Sequence, residues 1–384
     1  MQTRNKSPYE NRIEAEKKRR RRIRNIVLVL VLVIAVAAVI FLLNRTGTTT
    51  ELSAIRLTCY ADQNVTPFGT NVIYHDGTSL HCLAGNGAIK WSYPAGQDCY
   101  FHASDNYIVI WQGEDIAVVD SSGRCTYKET LSSPVQFARI SDHYVAICVG
   151  EDTKPDLMVK DVHGTQVDEE TEAFSSLLML DAGFYGDNDQ YMWTLCLDVY
   201  STAINTMMNT FQVGKMNTGE VSIGDKLAYK VMYDNANLHV FTTQQMYTYD
   251  YKAVINSTAT KLIYGWRYLD SCPRRNRESY ILLSPTNLQS GVSQSYAELR
   301  LLNGSNDRRF NLPTECVGAI VQGRSIYAIS GNYLYRVDID SNRTYAYADP
   351  LPDGNVADAF LGKTSDGKAL VSAGSSVYIV TLPD

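Results

Sequence analysis

One strand–turn–strand unit recurs along most of this chain of 384 residues and limits its possible folds more than any other feature. From residue 52 onward, apolar residues alternate with polar ones or form short runs rich in Val, Ile, Tyr and Thr, which is typical of β-strands. Gly, Asp, Asn and Ser separate the runs and favour turns. The clearest copy is SLHCLAGNGAIKWSY (79–93). The turn recurs near Gly87, Gly123, Gly164, Gly219, Lys252, Gly304 and Ser341.

The spacing of this turn predicts the fold. Successive turns lie 36, 41, 55, 33, 52 and 37 residues apart, with an average of about 42. Because the four-stranded blades of β-propellers repeat about every 40–45 residues, we predict an all-β propeller in which each turn joins the third and fourth strands of a blade. The long intervals fit loop insertions near 198–210 and 284–296. An array of β-sandwiches or a pair of barrels is the alternative, but neither explains the recurring turn.

The two ends of the repeat region predict how the ring closes. An eighth unit begins at Val356 and supplies three strands, the last of them within SVYIVTL (376–382). An isolated strand, SAIRLTCY (53–60), stands at the start of the region. If this strand completes the last blade, the ring closes and its edges are hidden. The prediction is therefore eight four-stranded blades, with seven as the alternative.

An apolar run before the repeats predicts a membrane anchor. Residues 26–43 are eighteen apolar residues without a charge, enough to span most of a hydrocarbon core about 30 Å thick. The basic run KKRRRRIR (17–24) precedes them, which places the N-terminus in the cytoplasm. A cleaved signal peptide is the alternative, but it requires a shorter apolar core and a small-x-small cleavage site. We predict an uncleaved signal-anchor helix.

These features divide the chain into four predicted parts. They are a basic cytoplasmic tail (1–25), a transmembrane helix (26–43), a linker (44–51) and an extracytoplasmic propeller (52–384). The tail holds ten Lys or Arg against three Glu, whereas the whole chain has a net charge of −6, so the remainder is acidic. We expect the basic run 17–24 to bind anionic lipid. An acidic body without a basic stripe argues against nucleic acid as a partner.

The segment LAGNGAIKWSYPAG (83–96) resembles the quinoprotein-type (PQQ-like) propeller repeat, in which an Asp/Ala-x-x-Gly turn precedes a strand that ends in a docking Trp. Trp91 matches that Trp. The equivalent positions in other units hold Tyr127, Asp168 and Tyr345, so the Trp girdle of quinoproteins is absent. The whole layout resembles a Firmicute family of membrane-anchored extracytoplasmic β-propellers. This resemblance implies the fold and the location, and it carries no active residues.

Motifs for catalysis and metal binding are absent from the sequence. It contains no H-E-x-x-H, C-x-x-C, G-x-S-x-G, G-x-G-x-x-G or P-loop pattern, so we predict a non-enzymatic protein without a cofactor. The eight cysteines all follow the anchor, and an oxidising location would allow disulfides whose pairing the sequence leaves open. We interpret the acidic stretch DAGFYGDNDQ (181–190) as a solvated turn, with Ca²⁺ binding as the alternative.

The leading functional hypothesis is a binding or scaffold module for envelope proteins or cell-wall polymers. Propellers bind ligands at the central channel or on the loops of one face. We therefore expect contacts on the two insertion loops (199–210 and 284–296) and on the basic cluster PRRNRE (273–278). The candidate contact residues are Tyr200, Met207, Met208, Arg274, Arg275, Arg277 and Tyr296. The alternatives are a glycan-active or divergent quinoprotein-like enzyme and a membrane sensor.

Overall fold

The structure is a computed structural model that describes residues 52–151, 154–170, 174–234, 237–274, 277–286, 295–331, 333–348 and 351–384. The predicted tail, anchor helix and linker all lie outside these residues. Over the described part of the chain, no helix is both long and apolar enough to cross a membrane. Leu52–Leu382 form one compact unit, whose described residues contain thirty-two strands in eight four-stranded antiparallel sheets.

The eight sheets are the blades of a propeller, and the strands of each blade are named a to d in hydrogen-bonding order. The chain starts with β1 (Ser53–Tyr60), which belongs to the last blade. Blades 1 to 4 contain, four strands each, β2 (Thr66–Phe68), β3 (Asn71–His75), β4 (Ser79–Leu83), β5 (Ile89–Pro94), β6 (Tyr100–Ala103), β7 (Tyr107–Gln112), β8 (Asp115–Asp120), β9 (Cys125–Thr130), β10 (Val135–Ile140), β11 (Tyr144–Glu151), β12 (Lys154–Asp161), β13 (Gln166–Glu170), β14 (Leu177–Tyr185), β15 (Tyr191–Asp198), β16 (Asn205–Gln212) and β17 (Met216–Gly224).

The second half of the ring is built in the same way. Blades 5 to 7 contain β18 (Ala228–Asp234), β19 (Asn237–Thr242), β20 (Gln245–Tyr249), β21 (Lys261–Leu262), β22 (Trp266–Arg274), β23 (Arg277–Pro285), β24 (Tyr296–Asn303), β25 (Asn306–Cys316), β26 (Gly318–Gln322), β27 (Ser325–Ile329), β28 (Tyr333–Asp338) and β29 (Thr344–Ala348). A 3-10 turn (Pro352–Gly354) leads into blade 8, which contains β30 (Ala359–Lys363), β31 (Ala369–Ala373), β32 (Ser376–Thr381) and then β1 as its d strand.

The a strands lie at the centre of the ring. Strand β6 contacts both β2 and β10, β10 contacts β14, and β26 contacts both β22 and β30. Contact between β30 and β2 joins the last blade to the first. Each blade therefore runs outward from its a strand to its d strand.

Strand β1 closes the ring by completing blade 8, as predicted. It pairs antiparallel with β32, with Ser53 opposite Thr381. Leu57 and Cys59 of β1 are buried and pack with residues of blades 8 and 1. The prediction of eight blades is confirmed, and the alternative of seven is wrong.

The apolar core of the described residues consists of eight clusters, one between each pair of neighbouring blades. The cluster between blades 5 and 6 contains Phe241 and Leu283, both fully buried. Each sheet is covered on both sides by its neighbours. This explains why many b and c strands are continuous apolar runs, such as YIVIWQ in β7 and SIYAI in β27, instead of alternating patterns.

The antiparallel strands give the ring two distinct faces. The a–b and c–d turns lie on one face, called here the ab face, because antiparallel neighbours reverse direction at every turn. The b–c connections, and those that run from a d strand to the next a strand, lie on the other, the bc face. Strand β1 is a d strand and therefore begins, at Ser53, on the ab face.

The recurring turn joins strands c and d, as predicted. In blade 2, the Gly123 N–H donates to the Asp120 carbonyl (2.9 Å). The Asp120 carboxylate accepts from the backbone N–H groups of Ser122 (2.9 Å) and Arg124 (3.1 Å). A φ of +83° at Gly123 is a conformation that glycine adopts without strain. Six of the seven predicted turn positions are confirmed; the exception is Gly219.

Side chains of the d strands dock against these turns in the next blade. Trp91 lies against Gly123, and its Nε1 donates to the Ser121 carbonyl (3.1 Å). Tyr127 lies against Gly164 in the same manner. The position matched to the docking Trp of quinoprotein-type repeats therefore has that docking role here.

The turn of blade 4 was predicted at the wrong glycine. Gly219 lies inside β17, where the pairing with β16 contains a bulge, and the turn is at Gly214, with φ of +71°. The docking residue from blade 3 is Val167, not Asp168 as the sequence suggested. The Asp168 carboxylate instead accepts the Gly214 N–H (3.0 Å). With this correction the two intervals become 50 and 38 residues, closer to the average than 55 and 33.

The cysteines form no disulfide in the structure, and all eight lie within the described residues. Six of them are buried. Burial raises the pKa of the Cys59 and Cys82 thiols to about 11 each, so these residues act as small apolar side chains.

Candidate functional site

The structure places the predicted contact segments on opposite faces of the ring. The connection 199–204 joins β15 to β16 and lies on the bc face. The ends of β23 and β24 that border 287–294 also lie on the bc face, while 287–294 themselves are outside the described residues. The described part of the basic cluster, 273–274 at the end of β22 and 277–278 at the start of β23, lies on the ab face. The predicted contact residues that the structure describes therefore do not form one surface.

Three of the predicted contact residues lie in strands and not in loops. Met208 of β16 is fully buried in the core between blades 4 and 5. Met207 beside it is half-buried against the core between blades 3 and 4. Tyr296, at the start of β24, is 6% exposed and packs with Leu299 and Cys316. This burial contradicts the expectation that Met208 and Tyr296 are contact residues, because each strand extends into the segment interpreted as a loop.

The arginines of the basic cluster differ in their surroundings. Arg274 ends β22, and its guanidinium carbon lies 4.5 Å from the ring centroid of Tyr280, within the range of a cation–π contact. Arg277 begins β23 and is exposed on the ab face. Arg275 lies outside the described residues. Arg274 therefore contacts an aromatic ring of its own blade. No such cation–π contact of Arg277 is found among the described residues.

Tyr200 belongs to a group of exposed apolar side chains on the bc face of blades 4 to 6. We call this group the apolar patch, and it consists of Val199, Tyr200, Ile204, Leu227, Tyr229, Leu262 and Tyr264. The first three come from the b–c connection of blade 4. Leu227 lies in the connection between blades 4 and 5 and Tyr229 at the start of β18, while Leu262 ends β21 and Tyr264 lies in the connection between blades 5 and 6. Tyr200 is 64% exposed and Tyr264 is 74% exposed. Of these residues only Tyr200 was a candidate from the sequence.

Hydrogen bonds between the blades hold the segments of the patch together. Thr206 Oγ1 donates to the Lys226 carbonyl (2.8 Å), which ties the start of β16 to the connection between blades 4 and 5. The Lys226 ammonium donates to the Tyr247 hydroxyl (2.7 Å), and this bond raises the pKa of Lys226. The Tyr229 hydroxyl accepts the Tyr268 N–H (2.9 Å) and so links blade 5 to blade 6. The patch is therefore carried by fixed strand ends.

The acidic stretch 181–190 is divided between a strand and a turn. Asp181 lies in β14, where its Oδ1 is 2.6 Å from Arg139 Nε. Asp189 lies at the a–b turn, where its Oδ2 is 2.9 Å from His143 Nδ1. Within the described ranges, no group of three or more His, Cys, Asp and Glu side chains is placed to hold a metal ion.

No protein-family model matches the sequence, and no curated protein matches it. Solved structures do match. A crystal structure of the eukaryotic initiation factor has a TM-score of 0.52 at 10% identity, over 88% of this chain and 87% of that chain. Saccharomyces cerevisiae Sqt1 has a TM-score of 0.51 at 9% identity, over 86% and 99%. BamB from Moraxella catarrhalis has a TM-score of 0.50 at 11% identity, over 86% and 98%. This chain is a β-propeller. At these identities the likeness shows the fold alone.

The propeller offers at the apolar patch a surface for binding. Tyr, Leu, Ile and Val side chains contribute mainly by burying apolar area, and the tyrosine hydroxyls add hydrogen bonds at the edge of a contact. Apolar groups of this kind, clustered and exposed, mark interaction sites.

Proposed function

We propose that this chain is a membrane-anchored extracytoplasmic binding module whose apolar patch docks another protein of the cell envelope. The observation that carries the proposal is the patch itself, seven exposed apolar residues that three neighbouring blades place on one face. Aromatic residues are enriched at the centre of protein interfaces, and three of the seven are Tyr. The fixed strand ends reduce the entropy lost on binding.

Site-specific photo-crosslinking of the full chain in intact cells tests the proposal. A photoreactive phenylalanine derivative replaces Tyr200 or Tyr264 in the patch, and, as the matched control, Ile89, which is 56% exposed on the opposite face. We expect a discrete protein adduct from positions 200 and 264 and none from position 89. The same adducts from all three positions, or adducts with lipid only at 200 and 264, would overturn the proposal.

A further inference from the structure

A cavity of about 250 Å³ opens on the ab face between blades 5 and 6. It is lined by described residues at the ab-face ends of β18, β19 and β23 and by residues of the c–d connections of both blades. The polar residues that line it include Asp234, His239, Thr248, Lys261, Glu278 and Ser279. The cavity lies on the face opposite the apolar patch, and its ligand chemistry is independent of the docking proposal.

Two acceptor atoms face each other at the wall of this cavity. Asp234 is 7% exposed, and its Oδ2 accepts the Ser279 N–H at 2.6 Å. The same oxygen lies 3.9 Å from His239 Nε2. That separation is too long for a direct hydrogen bond.

The hydrogen bonds of Thr248 determine which nitrogen of His239 carries the proton. The Thr248 hydroxyl donates to the Ala259 carbonyl (3.3 Å), so it accepts a hydrogen bond from His239 Nδ1 (3.0 Å). Burial lowers the pKa of His239 although Asp234 acts in the opposite direction, so the imidazole is neutral at pH 7. Nε2 is then a lone-pair acceptor. Asp234 Oδ2 and His239 Nε2 together form a site for a donor-rich group.

Ser279 and Glu278 add to the same site. Ser279 lines the cavity at 1% exposure, and its Oγ has no hydrogen-bond partner among the described residues. A buried hydroxyl without a partner costs free energy, which a ligand would recover. Glu278 is exposed at the rim, where its carboxylate lies over Gly304; a Cβ at Gly304 would overlap that carboxylate. Because residue 304 is a glycine, the Glu278 carboxylate has room at the rim of the cavity, in addition to the Asp234 carboxylate at its wall.

We propose that this cavity binds a primary ammonium group, carried either by a small free amine or by a lysine side chain of a peptide. An ammonium group has three donors and no acceptor, which suits Asp234 Oδ2, His239 Nε2 and the Ser279 hydroxyl. Two carboxylates line the cavity against the single ammonium of Lys261, so a cation is favoured over an anion there. The volume is below the ~300–1,000 Å³ of sites for drug-sized ligands, which limits the occupant to a small molecule or one side chain.

Calorimetric titration of the full chain in detergent micelles tests this assignment with two matched pairs of probes. One pair is glucosamine and N-acetylglucosamine; the other is Nα-acetyl-lysine methylamide and its Nε-acetylated form. Acetylation removes the charge of each amine and leaves most of the remaining molecule unchanged. We expect at least one amine to bind tenfold or more tightly than its acetylated form, and the pair that responds identifies the source of the ammonium group. Equal binding within both pairs, or no amine binding tighter than about 10 mM, would overturn the assignment.

Variants locate the binding within the molecule. Asp234→Asn keeps an oxygen for the Ser279 N–H and removes the charge, and we expect a tenfold or greater loss of amine affinity. Glu278→Gln removes the exposed carboxylate at the rim with little risk to folding, and we expect a several-fold loss. The control, Glu298→Gln, removes a carboxylate of blade 6 that pairs with Arg309 and does not line the cavity. Unchanged affinity in Asp234→Asn and Glu278→Gln, with thermal unfolding confirming that both are folded, would refute the site.

Discussion

Lys363 Nζ lies 2.7 Å from Asp270 Oδ2, and this pair joins the a strands of blades 8 and 6 across 93 positions of sequence. The same ammonium donates to the carbonyls of Ser271 (2.6 Å) and Val321 (2.7 Å). Asp270 Oδ2 also accepts the Val321 N–H (2.8 Å). One ammonium group therefore connects β22 of blade 6, β26 of blade 7 and β30 of blade 8 at the centre of the ring, although blade 7 lies between blades 6 and 8.

Removing this cation is expected to destabilise the propeller. Both side chains of the pair are about 20% exposed, so Lys363→Met leaves the Asp270 carboxylate part-buried without its partner. We expect the free energy of unfolding to fall by about 2–4 kcal/mol, measured by denaturant unfolding of the purified chain. In the more exposed pair of Arg309 and Glu298, Glu298→Gln should cost only about 0–1 kcal/mol. Equal losses in the two variants would contradict a special role for the central pair.

The docking of Trp91 on Gly123 can be tested with a pair of glycine substitutions. A Cβ at Gly123 would lie 2.7 Å from Trp91 Cγ, whereas a Cβ at Gly113 would meet nothing within 4 Å. Both glycines have positive φ, so each Ala variant has a backbone cost of about 1–2 kcal/mol. Gly123→Ala should lose a further ~1–3 kcal/mol through the steric overlap. Indistinguishable melting temperatures for the two variants would show that Trp91 is not held against the turn.

The contribution of β1 to stability is expected to reside in its buried side. Leu57 is 4% exposed, whereas Ile55 of the same strand is 41% exposed. Leu57→Ala should lower the free energy of unfolding by about 2–4 kcal/mol, because it opens a cavity between blades 8 and 1. Ile55→Ala should cost less than about 1 kcal/mol. The comparison requires chemical denaturation of both variants, and a reversed order would mean that β1 is not packed as described.

Stability should depend on pH through His102. Burial lowers the pKa of His102 from 6.5 to about 4, and the nearby Arg139 and Lys230 act in the same direction. Because the unfolded chain binds this proton more readily, the stability is full above pH 6.5 and falls as the pH drops towards 4. The melting temperature should therefore decrease from pH 7 to pH 5, with a smaller decrease in His102→Gln.

Carboxylates whose pKa is lowered in the folded chain contribute little between pH 7 and pH 5. A side-chain hydrogen bond from Ser341 lowers the pKa of Asp338, and the contribution of such a group is lost only as the pH falls below the ordinary carboxylate value of about 4. Between pH 7 and pH 5, a slope that is the same in His102→Gln and in the unaltered chain would count against His102 as its source.

The repeat could be found from the sequence because its signals are local. Strand alternation and turn chemistry at residues such as Asp120 and Gly123 need no knowledge of the rest of the molecule. Placing the turn of blade 4 at Gly214 instead of Gly219 does require knowledge of the rest of the molecule, because both glycines follow strand residues and both sequences resemble a turn. Docking of Val167 from the preceding blade accompanies the turn at Gly214, and no local pattern shows that contact.

The candidate site could be predicted only in part for the same reason. Tyr200 could be predicted as a surface residue because it lies in a long interval between turns. Met208 lies in the same interval, but its side chain packs in the core between blades 4 and 5. Val199 and Ile204 lie in the same interval as Tyr200, and the other four residues of the apolar patch lie at the junctions between blades, where apolar residues beside Gly and Asp were the available signal. The cavity combines Asp234 and His239 of blade 5 with Ser279 of blade 6, and their proximity depends on how two blades pack.

Because β1 completes blade 8, the ring can close only after the strands at the other end of the chain have been synthesised. Between Tyr60 at the end of β1 and Ser376 at the start of β32 lie 315 residues, all of which are synthesised before the two strands can meet. Until then β1 has no neighbour to bond with, and its apolar side faces solvent or a chaperone. The entropy lost in closing so long a loop rises only with the logarithm of its length. The nascent chain must therefore keep its earliest strand unaggregated through the whole of translation, and the ring becomes continuous in one late step.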